Sequence, residues 1–327
     1  MDFPITPVVQ RTVDRAWLTY KMSGGFVRSF HQPFTYMTMR ERLDSYLAQR
    51  AVSAGAEVMD GSRVVRVEAG NGPVRVSVAG ETVEGRVLVG ADGVNSVVAH
   101  QTGLLRGAEV GVGLESEVYA APGILEPWKD TAGLDFGTIR GGYMWVFPKE
   151  EHLSIGVAGF ARWGPRMRGL LDAYLGFLGL DGAERRLTRG HRLARRKKGM
   201  AIQSGPVLLV GDAAGLMDFW TGEGIYYAVK SAQAAAPAIA AYLEGATTDF
   251  TGYEETIDAD LMPELRIART LTRIGVWFPK LTYTLMKRSD WVWTAGCQVL
   301  RAEKTYHDVR GRMGPLTFLF DLAGRGT

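Results

Sequence analysis

The chain has 327 residues, 46% hydrophobic and 22% charged, with a formal net charge of +3. That composition supports a packed core and excludes a disordered or fibrous chain, and so small a positive excess gives no case for nucleic acid as a partner. The single cysteine, Cys297, excludes an intramolecular disulfide and a Cys-rich metal site, no His/Cys/Asp cluster has metal-ligand spacing, and no apolar run approaches a membrane span. The length allows one large domain or two interleaved ones, and cysteine-poor composition fits a reducing cytoplasm; the expectation is a cytoplasmic monomer.

The opening residues, Met1-Asp2-Phe3-Pro4-Ile5-Thr6-Pro7, read as loop. Thr38 and Glu41 have the spacing of a capping box for a helix over 39–54, with Leu43, Leu47 and Ala51 on one face and Gly55 ending it. Strands are expected at 56–59, 62–69, 73–79 and 82–90, the middle pair split by the turn Gly70-Asn71-Gly72-Pro73. The last strand runs into Gly90-Ala91-Asp92-Gly93; Asp-Gly after a strand is, by itself, a common turn.

The stretch 103–160 is strand-rich and aromatic. Within Gly142-Tyr143-Met144-Trp145-Val146-Phe147-Pro148, alternation puts Tyr143, Trp145 and Phe147 on one face. Such a wall suits a long apolar ligand, or equally an ordinary core. A helix follows over about 165–178, and then the basic run Arg195-Arg196-Lys197-Lys198 reads as a solvated loop. Its other reading is attraction to anionic lipid or a pyrophosphate.

Residues 205–225, GPVLLVGDAAGLMDFWTGEGI, carry the most information. The buried-strand run Val207-Leu208-Leu209-Val210 ends in Gly211-Asp212-Ala213-Ala214-Gly215, small residues that let backbone come close to a ligand. Thr221-Gly222-Glu223-Gly224-Ile225 then opens an alanine-rich helix over 225–243. A strand feeding a Gly-rich turn and a helix N-terminus is how doubly wound proteins hold phosphates or polyols. An Asp there cannot take phosphate without a metal, but it can accept a hydrogen bond from a sugar-alcohol hydroxyl. Beyond it, 253–274 is expected to be helical. The segment 273–293 mixes Trp277, Phe278, Leu281, Tyr283, Leu285, Met286, Trp291 and Trp293 with Lys280, Lys287 and Arg288, which fits either peripheral contact with a membrane surface or helices packing on the catalytic domain.

The GDAAG…TGEGI string resembles the second flavin-binding motif of FAD-dependent oxidoreductases related to p-hydroxybenzoate hydroxylase, and within them the geranylgeranyl reductase family. Aromatic hydroxylases usually carry His at Gly215 and Gln at Glu223; Phe219 departs from the reductase pattern, where Pro is common. RVLVGADGVNSVVA, 86–99, is similar to the superfamily's DG motif, and GYMWVFP with HLSIGVA resembles the YxWxFP…GxG motif, with Ala158 at its second Gly. A related Trp-rich motif occurs in flavin halogenases. The C-terminal Tyr306-His307-Asp308-Val309 also resembles the family's last helices.

The resemblance implies an α/β fold: an FAD/NAD(P)-binding, Rossmann-like domain interleaved with an antiparallel-sheet substrate domain and followed by a C-terminal helical region. The segments would be 1–102 and 201–250 for FAD binding, 103–200 for the substrate sheet and 251–327 for the helices. It implies FAD contacts at Arg40, Val64, Asp92, Gly93, Asp212, Gly224 and Ile225, and a substrate wall of Tyr143, Trp145 and Phe147. A guanidinium at Arg40, at a helix start, opposes the helix dipole and calls for a polar or anionic partner. The implied reaction is reduction of isoprenoid C=C bonds, with NADPH or ferredoxin as electron donor. The sequence names no proton donor. Flavin-dependent hydroxylation or halogenation is the second reading. The family's N-terminal GxGxxG does not occur in the sequence, which makes a start-site error or a fragment unable to hold FAD the third; residues 1–327 alone are expected to bind FAD poorly.

Overall fold

The structure is a computed structural model, and it describes residues 3–70, 72–78 and 80–312. The strands are β1 (Val9–Val13), β2 (Arg15–Tyr20), β3 (Phe26–Ser29), β4 (Thr35–Thr38), β5 (Val64–Glu68), β6 (Val74–Val78), β7 (Glu81–Gly85) and β8 (Leu88–Gly90). They continue as β9 (Glu109–Tyr119), β10 (Thr131–Phe136), β11 (Tyr143–Pro148), β12 (Leu153–Phe160), β13 (Glu184–Arg195), β14 (Gln203–Ser204) and β15 (Val207–Leu209). The helices are α1 (Arg40–Ser53), α2 (Val97–Thr102), α3 (Pro122–Leu125), α4 (Met167–Phe177) and α5 (Ile225–Leu243). Then come α6 (Thr251–Asp260), α7 (Met262–Trp277), α8 (Pro279–Arg288), α9 (Asp290–Leu300) and α10 (Tyr306–Gly311).

By contacts the chain divides into two units. The first is built from Val112–His191, Arg273–Val309 and the residues up to Met59. Its centre is a seven-stranded sheet ordered β13-β9-β12-β11-β10-β2-β3, in which β12–β11, β11–β10 and β2–β3 are antiparallel and β2 runs parallel to β10. Period-2 alternation gives the sheet two distinct faces. On one, Met144, Val146, Ile155 and Val157 pack beneath Leu171, Tyr174 and Leu175 of α4. On the other, Ala16, Leu18 and Ala132 pack with Trp293 and Cys297 of α9. Asp135 is buried between the layers, and it is satisfied: it accepts from Thr19 Oγ1 (2.8 Å), Met22 N (2.6 Å) and Thr138 Oγ1 (2.5 Å).

The second unit is built from Asp60–Gly111 and Arg192–Thr272. It holds the meander β5-β6-β7 and a small sheet, β14-β15-β8, in which β15 and β8 are parallel. Val207, Leu208 and Leu209 are fully buried and share a core with Tyr227, Phe250, Tyr253 and Ile257. The Tyr253 hydroxyl donates to Leu209 O at 2.7 Å, tying α6 to the end of β15.

The fold is the mixed α/β arrangement expected, with its helical C-terminal region, and the helices over 40–53, 167–177 and 225–243 appear where the periodicity puts them. Several local expectations are corrected. Residues 56–59 are not a strand; Val58 and Met59 lie exposed without a ladder partner. The single strand at 82–90 is two, β7 and β8, in different sheets. The helix at 253–274 is two, because Pro263 lacks the N–H that would continue the ladder from α6 into α7. Thr38 does not cap α1; it ends β4, and its hydroxyl donates to Val8 O at 2.7 Å. The basic run is not simply a solvated loop. Lys197 and Lys198 are exposed, but Arg195 and Arg196 are buried.

Candidate functional site

In the second unit, β15 delivers the chain into a tight turn, Gly211–Ala214, closed by Gly215 in the left-handed region at φ +67°. A Cβ on Gly215 would stand 2.7 Å from Arg196 N, so only glycine fits between the turn and the buried arginines. Gly211 N donates to Ser231 Oγ of α5 at 2.9 Å, which fixes the turn against that helix. The Asp212 carboxylate lies over the first turn of α5: its Oδ1 is 3.3 Å from where a Gly224 Cβ would sit. Negative charge at a helix N-terminus is favourable. Asp212 and Gly224 are thus brought together, with exposed Ile225 next in the chain.

Two carboxylates to which the sequence assigned no structural task build this loop. Buried Asp218 accepts from Trp220 N (2.7 Å), Thr221 N (3.3 Å) and Thr221 Oγ1 (2.7 Å). Glu223 Oε1 accepts from Tyr226 N at 2.8 Å and caps α5. An acid followed three residues later by Thr, and an acid just before a helix start, were the available signals. Nearby, Glu109 is clasped by Arg195 and by Arg269 (2.8 Å), and the Arg195 guanidinium lies 5.3 Å from the Phe219 ring centre.

Asp92 has a structural task. Its Oδ2 accepts from Val97 N (2.7 Å) and Val98 N (3.3 Å), and its Oδ1 from Ser96 Oγ (2.5 Å), so the carboxylate holds the start of α2. Gly93 supplies the left-handed step, φ +75°, that turns the chain into that helix. Beside it lies a cavity of about 870 Å³ walled by Val64, Ser96 and Ala213, with Arg63, Arg106 and Arg192 among its lining residues. Its size is that of a cofactor site, and guanidinium groups suit a pyrophosphate. Val64 and the turn bearing Asp212 therefore meet at one cavity, against a helix set by Asp92.

Arg40 is in the first unit, exposed at the start of α1. The polar partner it calls for includes Asp44 one turn on, at 3.1 Å and 3.0 Å.

The aromatic strip is also in the first unit. Tyr143, Trp145 and Phe147 are half-buried along β11, on the face opposite the α4 core. Ring centres are 6.0 Å apart for Tyr143–Trp145 and 5.9 Å for Trp145–Phe147, the latter pair stacked. Phe147 packs with Leu134 and Phe136 against the core that Trp293 and Cys297 share, while α8 lies toward the other end of the strip, where Tyr283 meets Tyr20 beside Phe136, the ladder partner of Tyr143. Gly156, opposite Trp145 on β12, leaves the room that the indole fills: a Cβ there would lie 2.1 Å from Trp145 Cζ2. Gly156→Ala is expected to dislodge the ring and destabilise the protein by ~1–3 kcal/mol, measured by urea unfolding. An unchanged midpoint would mean that the ring has slack.

Behind the strip runs a polar line that the sequence did not reveal, because its members come from separate strands. Trp145 Nε1 donates to Ser154 Oγ (3.4 Å), Ser154 Oγ donates to Glu115 Oε2 (3.2 Å), and His191 Nε2 meets Glu115 Oε1 (3.3 Å). The hydrogen bond from His191 holds the Glu115 pKa below the ordinary carboxylate value, against the opposing effect of burial. Adjacent His152 stacks on Tyr119 at 4.8 Å, and burial pushes its pKa down to about 4, so it is neutral at pH 7. The line ties the indole edge of Trp145 to solvent-facing His191 and fixes the ring's orientation.

Comparison with known proteins separates what this geometry serves. Residues 10–135 match an FAD binding domain family. The chain is 31% identical over 263 residues to digeranylgeranylglycerophospholipid reductase 2 of Methanothermobacter thermautotrophicus, covering 73% of this chain and 66% of that one. It is 30% identical over 262 residues to the chloroplastic geranylgeranyl diphosphate reductase of Oryza sativa, covering 73% and 56%. The chain belongs to the FAD-dependent oxidoreductase family that includes the geranylgeranyl reductases. Its family relatives are longer: the match spans about two thirds of the first and just over half of the second. Among solved structures, a geranylgeranyl bacteriochlorophyll reductase-like protein of Thermoplasma acidophilum superimposes with a TM-score of 0.73 at 20% identity, over 98% of this chain and 85% of that one. A flavin-dependent brominase superimposes with a TM-score of 0.68 at 15% identity, over 96% and 82%. These two likenesses establish the shared flavoprotein fold. Among the described residues no helix is long and apolar enough to cross a membrane, and no group of His, Cys, Asp or Glu could hold a metal ion.

Proposed function

We propose that this flavoprotein reduces C=C bonds of an isoprenoid lipid. The observation that carries the reading is the aromatic strip: three half-buried rings in a row on the sheet face opposite α4, with Gly156 giving the indole its room. A polyisoprenoid is flexible and apolar, and a flat row of rings gives it area and orientation without polar contacts. The relatives named above, at about 30% identity, support the same substrate class.

The cavity of the second unit fits FAD. Asp212 would accept a ribityl hydroxyl, the start of α5 at Gly224 and Ile225 would face the ring system, and Arg63, Arg106 and Arg192 would receive the pyrophosphate. Bound and reduced, FAD supplies hydride. The chain's own contribution is to orient the lipid along the strip and to keep water from it. Electrons would come from NADPH or a ferredoxin; mixing each anaerobically with the FAD-loaded protein and following loss of flavin absorbance separates them.

Trp145→Ala tests the wall. Turnover of long isoprenoids per bound flavin should fall at least tenfold, the equivalent of losing ~1.4 kcal/mol or more from a ring this large. Flavin content should stay constant. Loss of flavin with unchanged kinetics per flavin would make the strip a structural element instead. The halogenase-like architecture keeps a second reading, oxygen-dependent hydroxylation or halogenation, in view. Uptake of oxygen or halide into the product would support it.

A further inference from the structure

We propose that the elbow between α7 and α8 docks on the headgroup layer of an anionic lipid bilayer. Trp277 is 54% exposed, Phe278 55%, Leu281 50% and Leu285 42%. Large side chains this open cost solvation, and clustered ones mark an interaction surface. Trp277, Leu281 and Leu285 recur at four-residue spacing, and Leu281 and Leu285 share one face of α8. Tyr283 and Met286 take the inner face: Tyr283 meets the rings of Phe26 at 5.2 Å and Tyr20 at 5.6 Å. α8 therefore carries apolar side chains both toward the sheet and toward solvent, and it has no fully buried residue.

Charge decides what lies on the outer face. From Arg273 to Ser289 there is no acidic residue, while Arg273, Lys280, Lys287 and Arg288 are basic. Exposed Arg140 donates to Val276 O at 3.4 Å, and exposed Arg162 donates to Arg140 O at 3.3 Å, adding two cations at the end of α7. A second copy docking through this patch would oppose the same cations across a two-fold axis and be repelled. An anionic lipid surface instead pairs with the basic rim and takes up the aromatic and leucine side chains at headgroup depth. Trp and Phe at the elbow, flanked by Lys and Arg, match the composition of such an interface. Tyr283 of the same helix packs on Tyr20, and Tyr20 pairs through Phe136 with Tyr143, so docking would bring the Tyr143 end of the strip toward the lipid; this last link, unlike the docking itself, rests on the proposed isoprenoid substrate.

The test is co-sedimentation of the protein with vesicles that contain no isoprenoid: phosphatidylcholine alone, and phosphatidylcholine mixed with phosphatidylserine. Binding to the mixed vesicles is expected, at least tenfold weaker binding to the neutral ones, and loss with rising salt. A Trp277→Ser/Phe278→Ser variant should bind at least tenfold more weakly, and Lys287→Glu/Arg288→Glu more than tenfold, since each cation near an anionic surface is worth roughly fivefold. These residues are exposed, so unchanged circular dichroism and unfolding should accompany both losses. No binding to mixed vesicles, equal binding of the variants, or a dimer that the variants abolish would overturn the docking and leave the reductase reading standing. Binding without turnover of any isoprenoid would do the reverse.

Discussion

Arg196→Met is expected to lower the unfolding free energy by ~2–4 kcal/mol. The side chain is fully buried and each of its three nitrogens donates: Nε to Met200 O (2.7 Å), Nη1 to Asp258 Oδ1 (2.5 Å) and Nη2 to Glu254 Oε1 (2.5 Å). Met keeps much of the packing and removes the charge and all three bonds. Glu254, only 19% exposed, is then left with Ile202 N (3.2 Å) as its remaining donor among those resolved here. Breaking a buried pair from one side usually costs ~3–5 kcal/mol. Asp258, 42% exposed, is screened by water, which draws the figure down. The loss also bears on function, because Gly215 O accepts from Arg196 N at 2.9 Å and Gly215 closes the Asp212 turn. Urea unfolding of the FAD-free protein checks it. A change below about 0.5 kcal/mol would show that the two carboxylates find other partners and that Arg196 is not what fastens α6 to the turn.

Asp212→Ala is expected to weaken FAD binding tenfold to a hundredfold, while the FAD-free protein loses only the ~0.3–1 kcal/mol that a negative charge at the start of α5 contributes. An acceptor lost from a hydrogen bond to a sugar hydroxyl costs ~1–3 kcal/mol, and every ~1.4 kcal/mol is a decade in affinity. Asp212 stands at the edge of a turn built by Gly211, Gly215 and Ser231, so the turn should survive its removal. Asp212→Asn keeps one carbonyl acceptor and should fall between the two. Equilibrium titration followed by flavin fluorescence reports the change. Equal affinity in all three proteins would remove Asp212 from the cofactor site.

The turn around Asp212 was legible because one short string carries its strand, its tight glycine turn and its helix start together. Helix α5 spans 225–243 as its alanine-rich pattern indicates, although Pro237 lies inside it. The face of β11 was legible for a similar reason, since period-2 alternation fixes which residues point together. What could not be read depends on partners far away in sequence. β2 went unassigned, although Arg15-Ala16-Trp17-Leu18-Thr19-Tyr20 alternates, because its parallel ladder runs to β10, more than a hundred residues on; β3, an edge strand that pairs with β2, went unassigned with it. Arg195 and Arg196 looked solvated because the acids that bury them, Glu109, Glu254 and Asp258, are 58 to 86 residues away. The line from Trp145 to His191 needs three separate strands beside β11 to bring its members within reach. The split of 82–90 into β7 and β8 turns on which sheet each half joins, a tertiary choice that local propensity does not encode.

The most direct test of the central claim is an anaerobic reaction of the protein, supplied with FAD and reduced, with a geranylgeranyl compound, followed by mass analysis of the product. The account predicts that the lipid gains a pair of hydrogens for each double bond reduced, in amounts that follow bound flavin, and that Trp145→Ala suppresses the gain. A lipid recovered unchanged under anaerobic conditions, but hydroxylated or halogenated once oxygen is admitted, would contradict it.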